Sequence, residues 1–420
     1  MRPGEGAALV LSFLYFFFLL GGYYLLRPVR ETMGVEGGVR NLPWLYMGTL
    51  IVMIGAQPLF GALVSRVGRR VFIPATYRFF LLNILGFYAA FTLLEEGHRV
   101  WAGRIFYVWV SVFNLFAVTV FWGFMSDIWR SEQGKRLFGR VAAGGSVGAL
   151  VGAGAATAMA TKVGESNLLL FAAASLEICV WCMLALSKRS HRAGSMHEAG
   201  VEKALPKGGA FGGIKTALSS RYLLAISLYL LLFTVTSTVL YFAQARIVAE
   251  AFGDDRAART AGFAAIDFWT NVVALVFQGA LTGLIVRRIG VGWTLTVLPM
   301  VTLIGMAALA ASPVFLTLLF VQAGRRGLNY GLTRPAREAL FTVVAREDKY
   351  KAKSFIDTFI YRGGDAVGAW TETGLRALGV GAVGLAWLTA PVVLVWAPLA
   401  LWLGRRQRRM AEQQEAAAAA

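Results

Sequence analysis

Apolar stretches of about 20 residues alternate along the chain with short polar or basic connections, and that is the length a helix needs to cross the hydrocarbon core of a bilayer. In order, these stretches are residues 7–26, 42–64, 71–94, 105–125, 141–159, 167–186, 222–243, 260–286, 294–311, 314–333, 355–378 and 380–404. The fifth is rich in Gly and Ala, small residues that let helix backbones approach closely in lipid. The eleventh is unusually polar. The longest polar connection, residues 187–221, divides the series six and six. The pattern predicts an all-α membrane protein of twelve transmembrane helices in two halves, 1–186 and 222–404. A basic linker, 187–221, joins the halves, and a tail, 405–420, follows, its last alanines reading as a fading end. The first stretch follows Arg2 and Glu5 with no small-residue cleavage site behind it, so it reads as a retained helix.

Composition narrows the class. Hydrophobic residues make up 57% of the 420 residues and charged residues 15%, against about 25% charged in soluble globular domains. A water-soluble fold and a disordered chain are both excluded on that basis. The net charge of +18 would suit a nucleic-acid polymer on a soluble fold, but in a polytopic chain it reads as positive-inside bias. With the N-terminus inside, about 25 of the 41 Lys and Arg fall on inner loops, which puts both termini and the linker in the cytoplasm; a multi-pass place in a plasma (bacterial inner) membrane is expected. A monomer is expected, with the bilayer and a small solute as partners. Cys179 and Cys182 lie within one apolar stretch with no His nearby, and only three His occur in all. They read as buried structural thiols, and no metal or cofactor is expected. Without a Walker motif, metal cluster or nucleophile–base pair, an enzyme is not expected either.

The halves repeat each other in detail. The connection after the second stretch reads G-A-L-V-S-R-V-G-R-R from Gly61 to Arg70. The corresponding connection in the second half reads G-L-I-V-R-R-I-G from Gly283 to Gly290. The layout and the first of these resemble the major facilitator superfamily, whose loop motif carries an acid where Ser65 stands. That resemblance implies a 6+6 pseudo-symmetric bundle working by alternating access. A second repeat, R-P-x-R-E, closes the first stretch at Arg27–Glu31 and the tenth at Arg334–Glu338, with Tyr24 and Tyr330 just upstream. Helices one and ten run in opposite directions, as an inverted repeat predicts.

Charges inside membrane segments are costly and mark function by default. Arg326, Tyr330, Arg334 and Arg337 recur at helical spacing, as do Tyr23, Arg27 and Arg30. Two such faces on one cavity would hold an anionic, phosphorylated solute, because guanidinium groups bind phosphate bidentately and stay charged when desolvated. The tyrosines would contact the rest of the cargo. The competing reading of Arg30–Glu31 and Arg337–Glu338 is of helix-end ion pairs, and Arg27 could snorkel. Lys353 follows a basic connection and opens the eleventh segment, where Asp357, Tyr361 and Asp365 share a face and Arg362 can neutralise a carboxylate. Further polar positions are Arg78, Asn114, Glu177, Asp267 and Asn271. Glu177 and Asp267 are the carboxylates that proton coupling would need.

Y-x-L-R-P-V-R-E in the first helix, the block from Phe121 to Arg140, and the stretch Tyr330–Ala369 resemble the bacterial and plastid ATP/ADP translocases. The resemblance implies a twelve-helix facilitator fold and exchange or uptake of nucleotides, with Arg30 and Lys353 at basic family positions. Two family features differ: the fourth helix offers Asn114 in place of an acid, and the seventh has no acid. A proton-coupled carrier of another organic anion is the alternative reading. A membrane subunit that docks a partner through the linker is the third.

Overall fold

The structure is a computed structural model that describes residues 5–66, 69–129, 131–192, 220–345, 348, 352–353 and 355–419. Within these, residues 57–66, 69–71, 131–132, 134–135, 190–192, 280, 357–358, 382 and 417–419 are described by their backbone alone. The described residues form helices and connections with no strand. The first six helices are α1 Glu5–Glu36, α2 Leu42–Arg66, α3 Arg69–Leu93, α4 Glu96–Ile128, α5 Ser131–Val163 and α6 Leu168–Arg192. Helix α7 is Arg221–Phe252. Helix α8 starts as Arg256–Val276 and passes through a π turn, Phe277–Leu281, into the stretch Thr282–Ala311. Gly290 breaks that stretch with φ 79° and ψ 167°, a conformation that L side chains avoid, so 282–289 finish α8 and 291–311 form α9. Helix α10 comprises Phe315–Leu328, a π turn Asn329–Thr333 and Arg334–Leu340. Helix α11 comprises a π turn Ile356–Ile360 and Tyr361–Ala377, and α12 is Ala382–Ala419.

The twelve-helix expectation thus holds among the described residues, and nine helical stretches there are long and apolar enough to cross a membrane. Several helices outrun the apolar stretches that announced them. Beyond the hydrocarbon a helix keeps its internal hydrogen bonds, so polar turns extend it at little cost. Two expectations are corrected accordingly. The first R-P-x-R-E copy does not end its helix, because α1 continues through a buried Pro28 to Glu36. The last residues are not a fading tail: α12 runs to Ala419, Gln414 donates to the Val343 carbonyl at 3.0 Å, and Met410 and Ala411 pack on a buried cluster. Residues 67–68, most of the linker (193–219) and most of the basic connection 346–351 lie outside the described residues, as do the side chains of the Gly61–Arg70 motif.

Two compact units emerge, residues 1–202 with 248–268, and residues 203–247 with 269–420. In the first, α1 packs against α4, α5 and α6. The small-residue stretch of α5 sets that contact. A Cβ at Gly144, Gly148 or Gly152 would lie 2.5, 2.1 or 2.3 Å from the carbonyl oxygens of Phe13, Phe17 and Gly21. Glycine every fourth residue on α5 therefore meets carbonyls every fourth residue on α1, the close backbone approach that lipid favours in the absence of a hydrophobic force between helices. An aromatic core of Tyr15, Phe16 and Phe121 fills the space beside it, with Phe16 and Phe121 stacked at 4.3 Å. In the second unit Gly364 and Gly368 of α11 play the same part against Thr234, Val235 and Thr238 of α7. Trp396, Tyr229 and Phe233 form the core there.

Candidate functional site

The first unit carries a polar seam between antiparallel stretches of α1 and α8. Arg27 Nη1 lies 3.1 Å from Asp267 Oδ1, with the two side chains 18% and 4% exposed. One turn on, Thr32 and Thr260 share a hydrogen bond of 2.8 Å. A further turn on, Arg256 Nε lies 3.3 Å from Glu36 Oε1, which Arg99 also approaches at 3.6 Å, and Arg256 reaches Glu165 at 3.8 Å. Rising numbers on α1 (27, 32, 36) meet falling numbers on α8 (267, 260, 256), so one strip of each helix supplies the whole seam. Asp267 is therefore a buried partner of a half-buried arginine, whereas Glu177 pairs with Arg78 at 2.8 Å with both side chains substantially open (27% and 52% exposed).

Arg30 is held from three directions. Its Nε donates to the Tyr107 carbonyl at 3.0 Å, its Nη1 donates to Glu31 at 2.8 Å, and its guanidinium lies 3.8 Å from the Tyr107 ring centroid. Tyr107 is wedged in place because Gly34, one turn beyond Arg30, has no side chain: a Cβ there would be 2.8 Å from the ring. Glu31 is buried, Tyr24 lies 5.7 Å below the Arg27 guanidinium, and Asn114 on α4 is half-buried.

In the second unit the cations of α10 have unequal surroundings. Arg337 is buried, Arg326 and Tyr330 are half-buried, and Arg334 is exposed. The expectation that these residues share one face is corrected at Arg334. The π turn Asn329–Thr333 lies between Arg326 and Arg334, and a π turn inserts an extra residue that rotates everything after it against the α-helical register. The residue missed by sequence reasoning is Arg325, 2% exposed, which donates to Thr302 Oγ1 at 3.0 Å and to Ser237 Oγ at 2.6 Å. Spacing alone favoured its neighbour Arg326. A charge beside an apolar face of α10 was the only available signal.

Around these cations stand tyrosines. Tyr229, Tyr330 and Tyr361 are near enough to Arg325 to feel its charge, and Arg337 and Arg362 are near Tyr361. Asp365 accepts from Thr238 and lies 3.5 Å from Arg362 Nη1. Lys353 pairs with Glu338 and lies 5.8 Å from the Phe341 ring centroid. The side chain of Asp357 lies outside the described residues. Glu372 of α11, fully buried, accepts from Arg246 and Arg376. Cys179 and Cys182 are both buried and unbridged. Among the described residues no cluster of three or more His, Cys, Asp or Glu could hold a metal.

Two solved transporters overlay nearly the whole chain. One is the nucleoside transporter NupG in its D323A mutant form, at TM-score 0.62 and 13% identity, covering 96% of this chain and 99% of that one. The other is a bacterial homologue of the human lysosomal transporter Spinster, inward-facing and unoccupied, at TM-score 0.59 and 12% identity, covering 98% and 99%. The fold is that of the major facilitator transporters. In sequence, the chain is similar to ADP,ATP carrier protein 1 of Chlamydia trachomatis serovar D, at 23% identity over 97% of the chain and 90% of the relative. It is also similar to the protein of that name in Chlamydia muridarum, at 22% over 97% and 91%. No family model matches the chain. The relatives and the structural neighbours are carriers and transporters, and a multi-pass membrane transporter is the reading common to them.

Proposed function

We propose that the protein moves an anionic, phosphorylated solute, a nucleotide such as ATP or ADP, across a bacterial inner membrane by alternating access of the facilitator type. The observation that carries this reading is the array on α10 and α11. Arg337, Arg362, Tyr330 and Asp365 all stand near Tyr361, Arg362 pairs with Asp365, and Arg326 stands near Arg325, so cations outnumber described carboxylates inside these helices. Such an excess suits a polyanion: guanidinium forks match phosphate oxygens, and tyrosine rings offer a planar base a stacking surface. The similarity to carriers named for ADP and ATP points the same way. Arg334 and Lys353 are further proposed substrate contacts in the second unit, and Tyr24, Arg27 and Arg30 on α1 are those proposed in the first. Glu31, Asn114 and Glu338 are supporting polar groups. The protein acts as a monomer with both termini in the cytoplasm.

The test is counter-exchange in proteoliposomes preloaded with unlabelled nucleotide. Labelled ATP or ADP should enter only when nucleotide is present inside. Uptake of no nucleotide under any loading would sink the nucleotide reading.

A second reading rests on Asp267, the carboxylate buried against Arg27. A proton-coupled carrier of another organic anion would use such a group as its proton site. It predicts uptake driven by a pH gradient and abolished by Asp267→Asn. Gradient-independent exchange that survives this substitution excludes it.

A further inference from the structure

Arg325 is the most completely enclosed cation on α10, and its surroundings are neutral. Its two hydrogen-bond acceptors are hydroxyls, Thr302 Oγ1 and Ser237 Oγ. Each hydroxyl has already committed its own proton to a backbone carbonyl, Thr302 to Leu298 at 2.8 Å and Ser237 to Phe233 at 2.6 Å. Their lone pairs are thereby aimed at the guanidinium, which fixes its plane. Phe233 backs it at 5.5 Å. Tyr229, Tyr330 and Tyr361 lie near it, and the charged neighbour that acts on it is another cation, Arg326. Among the described residues no carboxylate lies within ion-pair distance of Arg325. The contrast within the same unit is sharp. Arg246 and Arg376 have Glu372, Arg362 has Asp365, and Lys353 has Glu338.

A buried charge with neutral neighbours is unfavourable, and an apolar or amide side chain at 325 would suit the empty protein better. The hydroxyl socket instead holds the guanidinium in one orientation, with Nη1 making no hydrogen bond to a described residue. A guanidinium has five N–H donors in a rigid fork, and the two hydroxyls use Nε and Nη2. We propose that Arg325 is the anion anchor of this unit, with a phosphate group of the solute as its missing counter-ion. The proposal rests on the reading of the solute as an anion and deepens it: the residue that holds the phosphate is the enclosed Arg325, and the more open cations of α10 assist. It follows that the solute-free protein carries a strain that the solute relieves.

The experiment measures thermal unfolding of the purified full-length protein in detergent, with and without ATP, ADP or inorganic pyrophosphate, for the wild type, Arg325→Gln and Arg325→Lys. Without ligand, Arg325→Gln should melt no lower than the wild type, because glutamine keeps a donor for the hydroxyls and removes the charge. Its affinity for the phosphate probes should fall roughly tenfold to hundredfold, the worth of one hydrogen bond to a charged group. Arg325→Lys should retain the charge, lose the fork and bind between the two. The proposal is overturned if Arg325→Gln melts well below the wild type while binding as tightly, or fails to fold while Arg325→Lys binds like the wild type. It is overturned equally if none of the probes stabilises the wild type. Stabilisation by pyrophosphate that depends on Arg325, in a protein that exchanges no nucleotide in vesicles, upholds the anchor and discards the nucleotide.

Discussion

The Arg27–Asp267 pair ties α1 to a helix some 240 positions later in the sequence, and its energetics can be worked from its geometry. At 3.1 Å and an effective dielectric of about 20, the charge attraction is about 5 kcal/mol before desolvation is counted. Asp267 is 4% exposed and Arg27 18%, so desolvation cancels much of that gain, and the net worth of the pair against an apolar substitute is small. Removing one partner is another matter, because the survivor stays largely enclosed and loses the opposite charge 3.1 Å away. Arg27→Gln and Asp267→Asn should each destabilise by roughly 3–5 kcal/mol. The double variant should lose less than the sum, with a coupling of about 1–3 kcal/mol. Unfolding of the four proteins in detergent, followed by tryptophan fluorescence, gives the cycle. If both single variants melt within about 0.5 kcal/mol of the wild type, as exposed pairs do, or if the double equals the sum of the singles, the seam does not hold α1 to α8 and the reasoning fails.

Other expectations follow from the packing. Gly148→Ala places a Cβ 2.1 Å from the Phe17 carbonyl oxygen. Only backbone can give way, so the α1–α5 contact must spread, at a cost of about 1–3 kcal/mol or more; a melting temperature equal to the wild type's would contradict the contact. Arg246→Gln leaves the fully buried Glu372 with Arg376 alone, and should destabilise more than Glu372→Gln, by about 2 kcal/mol or more; the reverse order in denaturation would refute the pairing. Cys179 and Cys182 are 0% and 7% exposed, so neither should react with a maleimide until the protein is unfolded, and mass spectrometry of the native protein should find both unmodified.

Much of the architecture was legible because a bilayer imposes a length on apolar runs. The spans and the close-packed face of α5 follow from local pattern, since lipid exposure and small-residue packing depend on what each helix itself carries. The two R-P-x-R-E copies were legible as well, being a repetition of sequence. What local pattern could not supply was phase and partnership. The π turn at Asn329–Thr333 has no sequence signature, yet it lies between Arg326 and Arg334 and breaks the α-helical register that would put them on one face. Arg325 and Arg326 are chemically identical neighbours. Ser237 on α7 and Thr302 on α9 decide that the first is enclosed. Likewise Asp267 was visible as a buried carboxylate, but its partner Arg27 lies on α1, far away in sequence. The sequence by itself determined which segments enter the membrane, because that depends on the hydropathy of each segment alone. The tertiary structure decided which charges face carboxylates and which face neutral hydroxyls, because the surroundings of a buried charge are the groups that other helices bring to it.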